Sequence, residues 1–155
     1  MAGCSVLSDR DGDCTARDRR FAKTLNNLPI LELRPSDVPL EDDGAYFGCT
    51  DSTGFPYAGR TYRPGDNTVK DVANFYRRAA PAADWKLEHF AEINPDQPIH
   101  RALLCFSKSV EGVTSFLRVS FPGDIDSGPD DVLGPDPIDF SLTVSADPDG
   151  GYISC

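Results

Sequence analysis

The sequence predicts an α+β fold, in which an antiparallel sheet of about five or six strands is packed on one face by one main helix, with a short N-terminal helix added. Two patterns carry this prediction. Apolar and polar residues alternate over residues 138–145, and this period-two pattern is typical of a half-buried strand. The apolar members are Ile138, Phe140, Leu142 and Val144. Residues 68–80 instead repeat their apolar side chains at helical spacing.

The main helix is expected over residues 68–80. Thr68-Val69-Lys70-Asp71 has the form of a capping box, in which Asp is a weaker reciprocal partner than Glu or Gln. One stripe is expected to be buried: Val69, Val72, Ala73, Tyr76 and Ala80, broadened by Phe75. Arg77 and Arg78 place positive charge in the last turns, where the helix dipole favours it. We expect Pro81 to end the helix.

A shorter helix is expected over residues 15–28, with Phe21, Leu25 and Leu28 on one face and Pro29 after its end. Strands are expected at residues 45–50, 57–63, 85–90, 102–107, 113–121 and 138–145. Glu111-Gly112 is expected to form a hairpin turn, and Asp51-Ser52-Thr53-Gly54 a loop between two strands. The strands therefore lie on both sides of the main helix in the chain.

Length and charge limit the classes of protein. A chain of 155 residues predicts one domain, and no apolar run approaches the roughly 20 residues that cross a bilayer. Of the net charge of −10, most lies near the C-terminus, because residues 119–155 contain eight acidic residues and no Lys or Arg. Nucleic-acid binding needs clustered cations, whereas the Arg residues of this acidic chain are interspersed with carboxylates, so the chain is a poor candidate for that class.

The five cysteines favour an exported protein. Met1-Ala2-Gly3-Cys4 resembles a bacterial lipobox, which predicts lipidation at Cys4. Residues 1–13 are then a lipobox remnant and tether, and residues 14–155 a single disulfide-stapled α+β domain. The alternative is a cytosolic protein that starts with these residues by chance.

Without Cys4, four cysteines remain, an even number that suits two disulfides in an oxidising compartment. Four cysteines allow three connectivities, which sequence alone does not separate. We favour Cys49 with Cys105 and Cys14 with Cys155, a pairing that would tie the terminal segments together.

The run DVANFYRRAAPAADWKL, which starts at Asp71, and the later LLCFSK resemble small secreted lipoproteins of actinobacteria that have no established activity. The resemblance covers residues 57–121, and Asp84 stands where those relatives commonly carry Gly. It implies an exported compartment and a fold, but no reaction. From the residues themselves, Phe75, Tyr76 and Trp85 are expected to pack between helix and sheet.

Motifs that carry chemistry are scarce. The Gly-x-Ser-x-Gly, P-loop, Rossmann and His-Glu-x-x-His patterns are absent from the sequence. His89 and His100 have no evident Ser or Cys partner and are expected to be structural or surface residues. We therefore assign no catalytic residue, no metal ligand and no cofactor, and an enzyme is the less favoured class.

Aspartates suggest calcium at two places. Asp9, Asp11 and Asp13 alternate like the first ligands of an EF-hand loop, but Cys14 stands at its glycine position and Arg20 at that of its bidentate Glu. The EF-hand interpretation therefore fails. A looser Asp-rich calcium site, here or at residues 124–131, remains the alternative to simple solvation. The Gly- and Pro-rich segment up to Pro137 is too long for a tight hairpin, and loops of that length are usually functional or mobile.

The favoured function is a lipid-anchored, extracytoplasmic binding module. Acyl chains on Cys4 would hold it at the outer face of the cell membrane, where it would bind a protein or envelope ligand. One alternative is a small secreted hydrolase that works through carboxylates near residues 122–137. A third is an inhibitor or immunity-type protein that blocks a partner enzyme through its acidic loop.

Overall fold

The computed structural model describes residues 14–49, 55–90, 104–121, 139–150 and 155. In this part the chain forms α1 (Ala16–Asn26), a 3-10 turn (Pro29–Glu32), β1 (Leu40–Cys49), β2 (Pro56–Tyr62), α2 (Val69–Ala82), β3 (Lys86–Phe90), β4 (Leu104–Val110), β5 (Val113–Ser120) and β6 (Phe140–Ala146). The predicted α+β class is confirmed. No helix within the described ranges has the length and apolar character needed to span a membrane.

The six strands form one antiparallel sheet in the order β1-β2-β6-β5-β4-β3. The β4–β5 hairpin turns at Glu111 and Gly112, as predicted, and both residues have the positive φ that a type I′ turn requires (49° and 79°). The predicted loop at residues 51–54 lies outside the described residues, as does most of the long segment before β6. Because β6 pairs between β2 and β5, the last strand holds the two halves of the sheet together.

Both helices cover the same face of the sheet, which we call the inner face. Its core contains Phe21 and Leu25 of α1, and side chains of α2 and of every second residue of the strands. The predicted stripe of α2 is buried throughout, namely Val69, Val72, Ala73, Tyr76 and Ala80, and Trp85 is buried with it. The expected packing role of Tyr76 and Trp85 is thus confirmed, and Phe75 packs partly buried against the same core.

Capping boxes start both helices. Thr15 accepts a hydrogen bond from the Asp18 amide, and Asp18 accepts one from the Thr15 amide. Thr68 and Asp71 make the same reciprocal pair, as the sequence predicted. The hydrogen bonds that the Asp71 carboxylate accepts from Thr68, first from its backbone amide and then from its side chain, favour the charged form and lower the pKa of Asp71.

The expectation that Pro81 ends α2 is wrong, because the helix continues to Ala82. Its end is set by Asp84, which has a φ of 65°. The Asp84 amide donates to the Pro81 carbonyl and the Trp85 amide to the Ala80 carbonyl, the paired bonds of a Schellman motif. Pro81 lies in the last turn of the helix and is exposed.

The cysteine pairing favoured from the sequence is also wrong. The disulfides join Cys14 to Cys49 and Cys105 to Cys155. Cys49 ends β1 and Cys105 lies in β4, four strand positions away, which at about 4.8 Å each puts them about 19 Å apart. A disulfide cannot span that distance. All four cysteines that the sequence assigned to disulfides are nevertheless paired.

Candidate functional site

Opposite the helices lies a second face of the sheet, which we call the outer face. Strand alternation and register place three cross-strand rows on it. The rows are Gly48, Tyr57, Ser145, Phe116 and Ser107; Tyr46, Gly59, Thr143, Arg118 and Cys105; and Thr61, Ser141 and Ser120. These side chains are aromatic, hydroxyl-bearing or small, with one arginine.

Tyr46 forms the aromatic centre of this face. A Cβ added to Gly59 would lie 2.5 Å from the Tyr46 ring, so the ring rests directly on the backbone of β2. From there the Tyr46 hydroxyl reaches Thr143 Oγ1 on β6, at 3.4 Å. The Tyr57 ring lies beside it, with the two ring centroids 6.3 Å apart. Gly59 therefore gives Tyr46 the space to lie flat, and the two rings form an aromatic platform.

Hydroxyl groups and one cation continue the outer face across β6 and β5. Thr61 Oγ1 and Ser141 Oγ are 3.1 Å apart across the β2–β6 pair. Arg118 donates to Ser145 Oγ at 3.0 Å. Burial disfavours the charged guanidinium and lowers the pKa of Arg118. Arg118 is the only Lys, Arg, Asp or Glu among the described outer-face positions of β2, β6 and β5, and its side chain is half-buried.

The two disulfides lie on opposite faces. Cys49 is in register with Pro56 on the inner side, so its bond to Cys14 ties the start of α1 to the end of β1. Cys105 pairs in register with Arg118 on the outer side, and its bond to Cys155 brings that residue to the outer face.

At one end of the outer face two carboxyl groups meet. Glu41 of β1 and Asp139, just before β6, share a side-chain hydrogen bond. This bond, together with burial and the charge of Asp139, raises the pKa of Glu41, although Arg63 opposes the shift from 3.9 Å. Asp139 also borders an open depression of about 290 Å³, whose other lining residues are Thr61, Ser120, Phe121 and Ser141. Two neighbouring carboxyl groups beside a hydroxyl-lined depression have the elements of general acid–base chemistry.

Several residues singled out in the sequence fall outside the described part: Cys4, Asp9, Asp11, Asp13, His100 and residues 124–131. His89 belongs to β3, where its backbone is in register with Cys105. Among the described residues, no three His, Cys, Asp or Glu side chains form a group that could hold a metal ion.

Sequence reasoning missed the outer face and the Glu41–Asp139 pair. One signal was present, because Asp139, Ser141, Thr143 and Ser145 are the polar set that alternates with the buried residues of β6. The other residues of the outer face come from neighbouring strands, and only the pairing of β2 and β5 with β6 brings them beside this polar set.

Comparison of the chain with protein-family models, curated proteins and solved structures finds no match.

Proposed function

We propose that this protein is an extracytoplasmic binding module, held at the outer face of the cell membrane through Cys4, that binds a glycan of the cell envelope on its outer sheet face. The observation that carries the proposal is the composition of this face. Two neighbouring tyrosine rings, tilted by 53° to each other, offer stacking area, and the hydroxyls around them donate and accept hydrogen bonds. A hydroxyl-rich ligand matches both.

The compartment is supported by the two disulfides, since such bonds persist in oxidising surroundings outside the cytoplasm. The anchor is supported by cysteine parity, because four of the five cysteines are paired and Cys4 is the fifth. The small residues Ala2 and Gly3 before Cys4 match a lipobox. Dual acylation would supply the stable attachment that one chain does not.

Ligand binding is tested by sedimenting the full-length protein with isolated envelope polysaccharide. Phe116→Ala should weaken binding about tenfold, because aromatic residues contribute most at such interfaces. Phe47→Ala is the matched control, since Phe47 is 47% exposed but lies in register on the inner side of β1. Equal binding by both variants and the unaltered protein would contradict a glycan site on the outer face. If the protein bound an envelope protein and no polysaccharide, this result would also contradict the glycan site and would favour a protein ligand.

Anchoring is tested separately in cells. Cys4→Ala in the complete precursor should move the protein from the membrane fraction to the soluble fraction, whereas Ser5→Ala should leave it at the membrane. Membrane association that persists without Cys4 would contradict the lipid anchor.

The Glu41–Asp139 pair favours a second candidate, a small secreted hydrolase. Glu41, whose pKa is raised, could donate a proton to a leaving group beside Asp139, which lines the depression. Turnover on a panel of glycans and esters, abolished by Asp139→Asn and kept by Asp42→Asn, would establish this activity. If no substrate of the panel were turned over, this result would contradict the hydrolase candidate and leave the Glu41–Asp139 pair with a structural role only. The third class, an inhibitor acting through its acidic loop, depends on residues outside the described part.

A further inference from the structure

The solvent side of the two helices is basic in an acidic protein. The chain has a net charge of −10, yet α1 and α2 together carry seven of its fifteen Lys and Arg residues. These residues are Arg17, Arg19, Arg20, Lys23, Lys70, Arg77 and Arg78. They contain only two acidic residues, of which Asp18 is buried and Asp71 exposed, each closing a capping box. The helices therefore concentrate positive charge on one side of the sheet.

On α1 the charge is directed outward. At 100° per residue, Arg19, Arg20 and Lys23 lie within an arc of about 100°, opposite the buried side formed by Phe21, Ala22 and Leu25. All three cationic residues are exposed. Arg17 lies at the flank of this arc, where it forms an ion pair with Asp149 at 3.1 Å.

We propose that the solvent face of α1, with Arg19, Arg20 and Lys23, lies against the anionic headgroups of a lipid bilayer. The inference deepens the proposed function and rests on it for the presence of a membrane nearby. Cys4 is ten residues before Cys14, which immediately precedes the helix cap, so a lipid on Cys4 would bring α1 close to the headgroups. In this orientation the outer sheet face points away from the membrane and stays accessible to a ligand.

The net negative charge of the protein does not oppose this orientation at physiological salt. The Debye length there is about 8 Å, so the bilayer interacts mainly with the charges that face it. Each cation near an anionic surface strengthens binding about fivefold. A small basic surface therefore orients a tethered protein, although it would not hold an untethered one.

The test couples the thiol of Cys4 in the full chain to a maleimide lipid, in vesicles with or without phosphatidylglycerol. Acetylation of lysines by a water-soluble ester is then followed by mass spectrometry. We expect Lys23 to react several-fold more slowly on the anionic vesicles than on neutral ones, and Lys86 of β3 to react equally on both. Protection of Lys23 should disappear in 0.5 M salt, because screening removes the attraction.

Two variants show whether the cations of α1 cause the protection of Lys23. Arg20→Gln should reduce the protection of Lys23 about fivefold, and Lys86→Gln, at a side chain that is 77% exposed, should leave it unchanged. Equal acetylation of Lys23 on both kinds of vesicle, or protection of Lys86 instead, would overturn the proposal. Because the anchor is attached chemically, either outcome is independent of whether cells acylate Cys4.

Discussion

Arg60 shows how a single residue connects the layers of this fold. It points from β2 into the inner face and is only 6% exposed. Its guanidinium donates to Glu32 Oε1 at 2.9 Å, to Asn26 Oδ1 at 2.8 Å and to the Asn26 carbonyl at 3.0 Å. The end of α1 and the 3-10 turn are thereby both bound to the sheet through one side chain. Planar, multiply bonded recognition of this kind needs arginine.

Arg60→Lys should therefore destabilise the protein although it keeps the charge. The single ammonium group of lysine cannot reach all three acceptors at once. We therefore expect a loss of about 2 to 3 kcal/mol in the free energy of unfolding, measured with urea. Arg63→Lys is the matched control, because Arg63 is exposed and its ion pair with Glu41 measures 3.9 Å. Equal stability of the two variants would mean that Arg60 does not connect the layers.

Asp84 adopts a backbone conformation that suits glycine better, with a φ of 65°. Asp84→Gly should raise the free energy of unfolding by about 0.5 to 1 kcal/mol, because glycine takes this conformation without steric cost. Asp66→Gly, at a turn position whose own φ is not positive, should lower it instead. The two thermal unfolding midpoints should thus move in opposite directions, and a lower midpoint for Asp84→Gly would contradict the interpretation of this turn.

Glu41 should titrate above its ordinary range, because its hydrogen bond to Asp139 favours the protonated form. A pKa raised by folding adds stability that is present below the unfolded pKa and is lost as pH rises through the folded pKa. Carboxyl carbon shifts followed by NMR should give a midpoint above 4.5 that falls in Asp139→Asn. An unchanged midpoint in that variant would show that the two carboxyl groups do not share a proton.

Elements differ in how well their sequence predicts them. The buried stripe of α2 and the alternation in β6 are repeated signals, so both elements were predicted within a few residues. The first half of β1 was not predicted as a strand, because Glu41-Asp42-Asp43-Gly44 lacks apolar alternation. There Asp43 has a φ of 55° and the register with β2 shifts, as in a bulge. Long-range pairing creates this part of the strand, and local pattern does not reveal it.

The disulfide between Cys14 and Cys49 ties α1 to the sheet across 35 residues of chain. Its removal by Cys14→Ala with Cys49→Ala should lower the free energy of unfolding by about 3 to 4 kcal/mol, mainly because the unfolded chain gains freedom. Cys4→Ala should have no effect in the same urea titration, since Cys4 belongs to neither disulfide. A similar loss for both variants would contradict the assigned connectivity.

At the scale of the whole molecule, the sheet separates two surfaces with different chemistry. The helix side presents exposed cations, and the outer face presents rings, hydroxyls and the half-buried Arg118. Sequence could predict the fold class and the cysteines that pair. It could not predict the outer face, because Tyr46, Thr143 and Arg118 are distant in the chain and meet only through the strand order. The proposed function joins the two surfaces, with the helices toward the membrane and the outer face toward the ligand.

The most direct test is mass spectrometry of the protein isolated from its native membrane without reduction. The proposed function predicts an acylated peptide at Cys4, together with disulfide-linked peptides for Cys14 with Cys49 and Cys105 with Cys155. An unmodified thiol at Cys4 with the other four cysteines reduced would contradict it, since both the anchor and the oxidising compartment would then be absent.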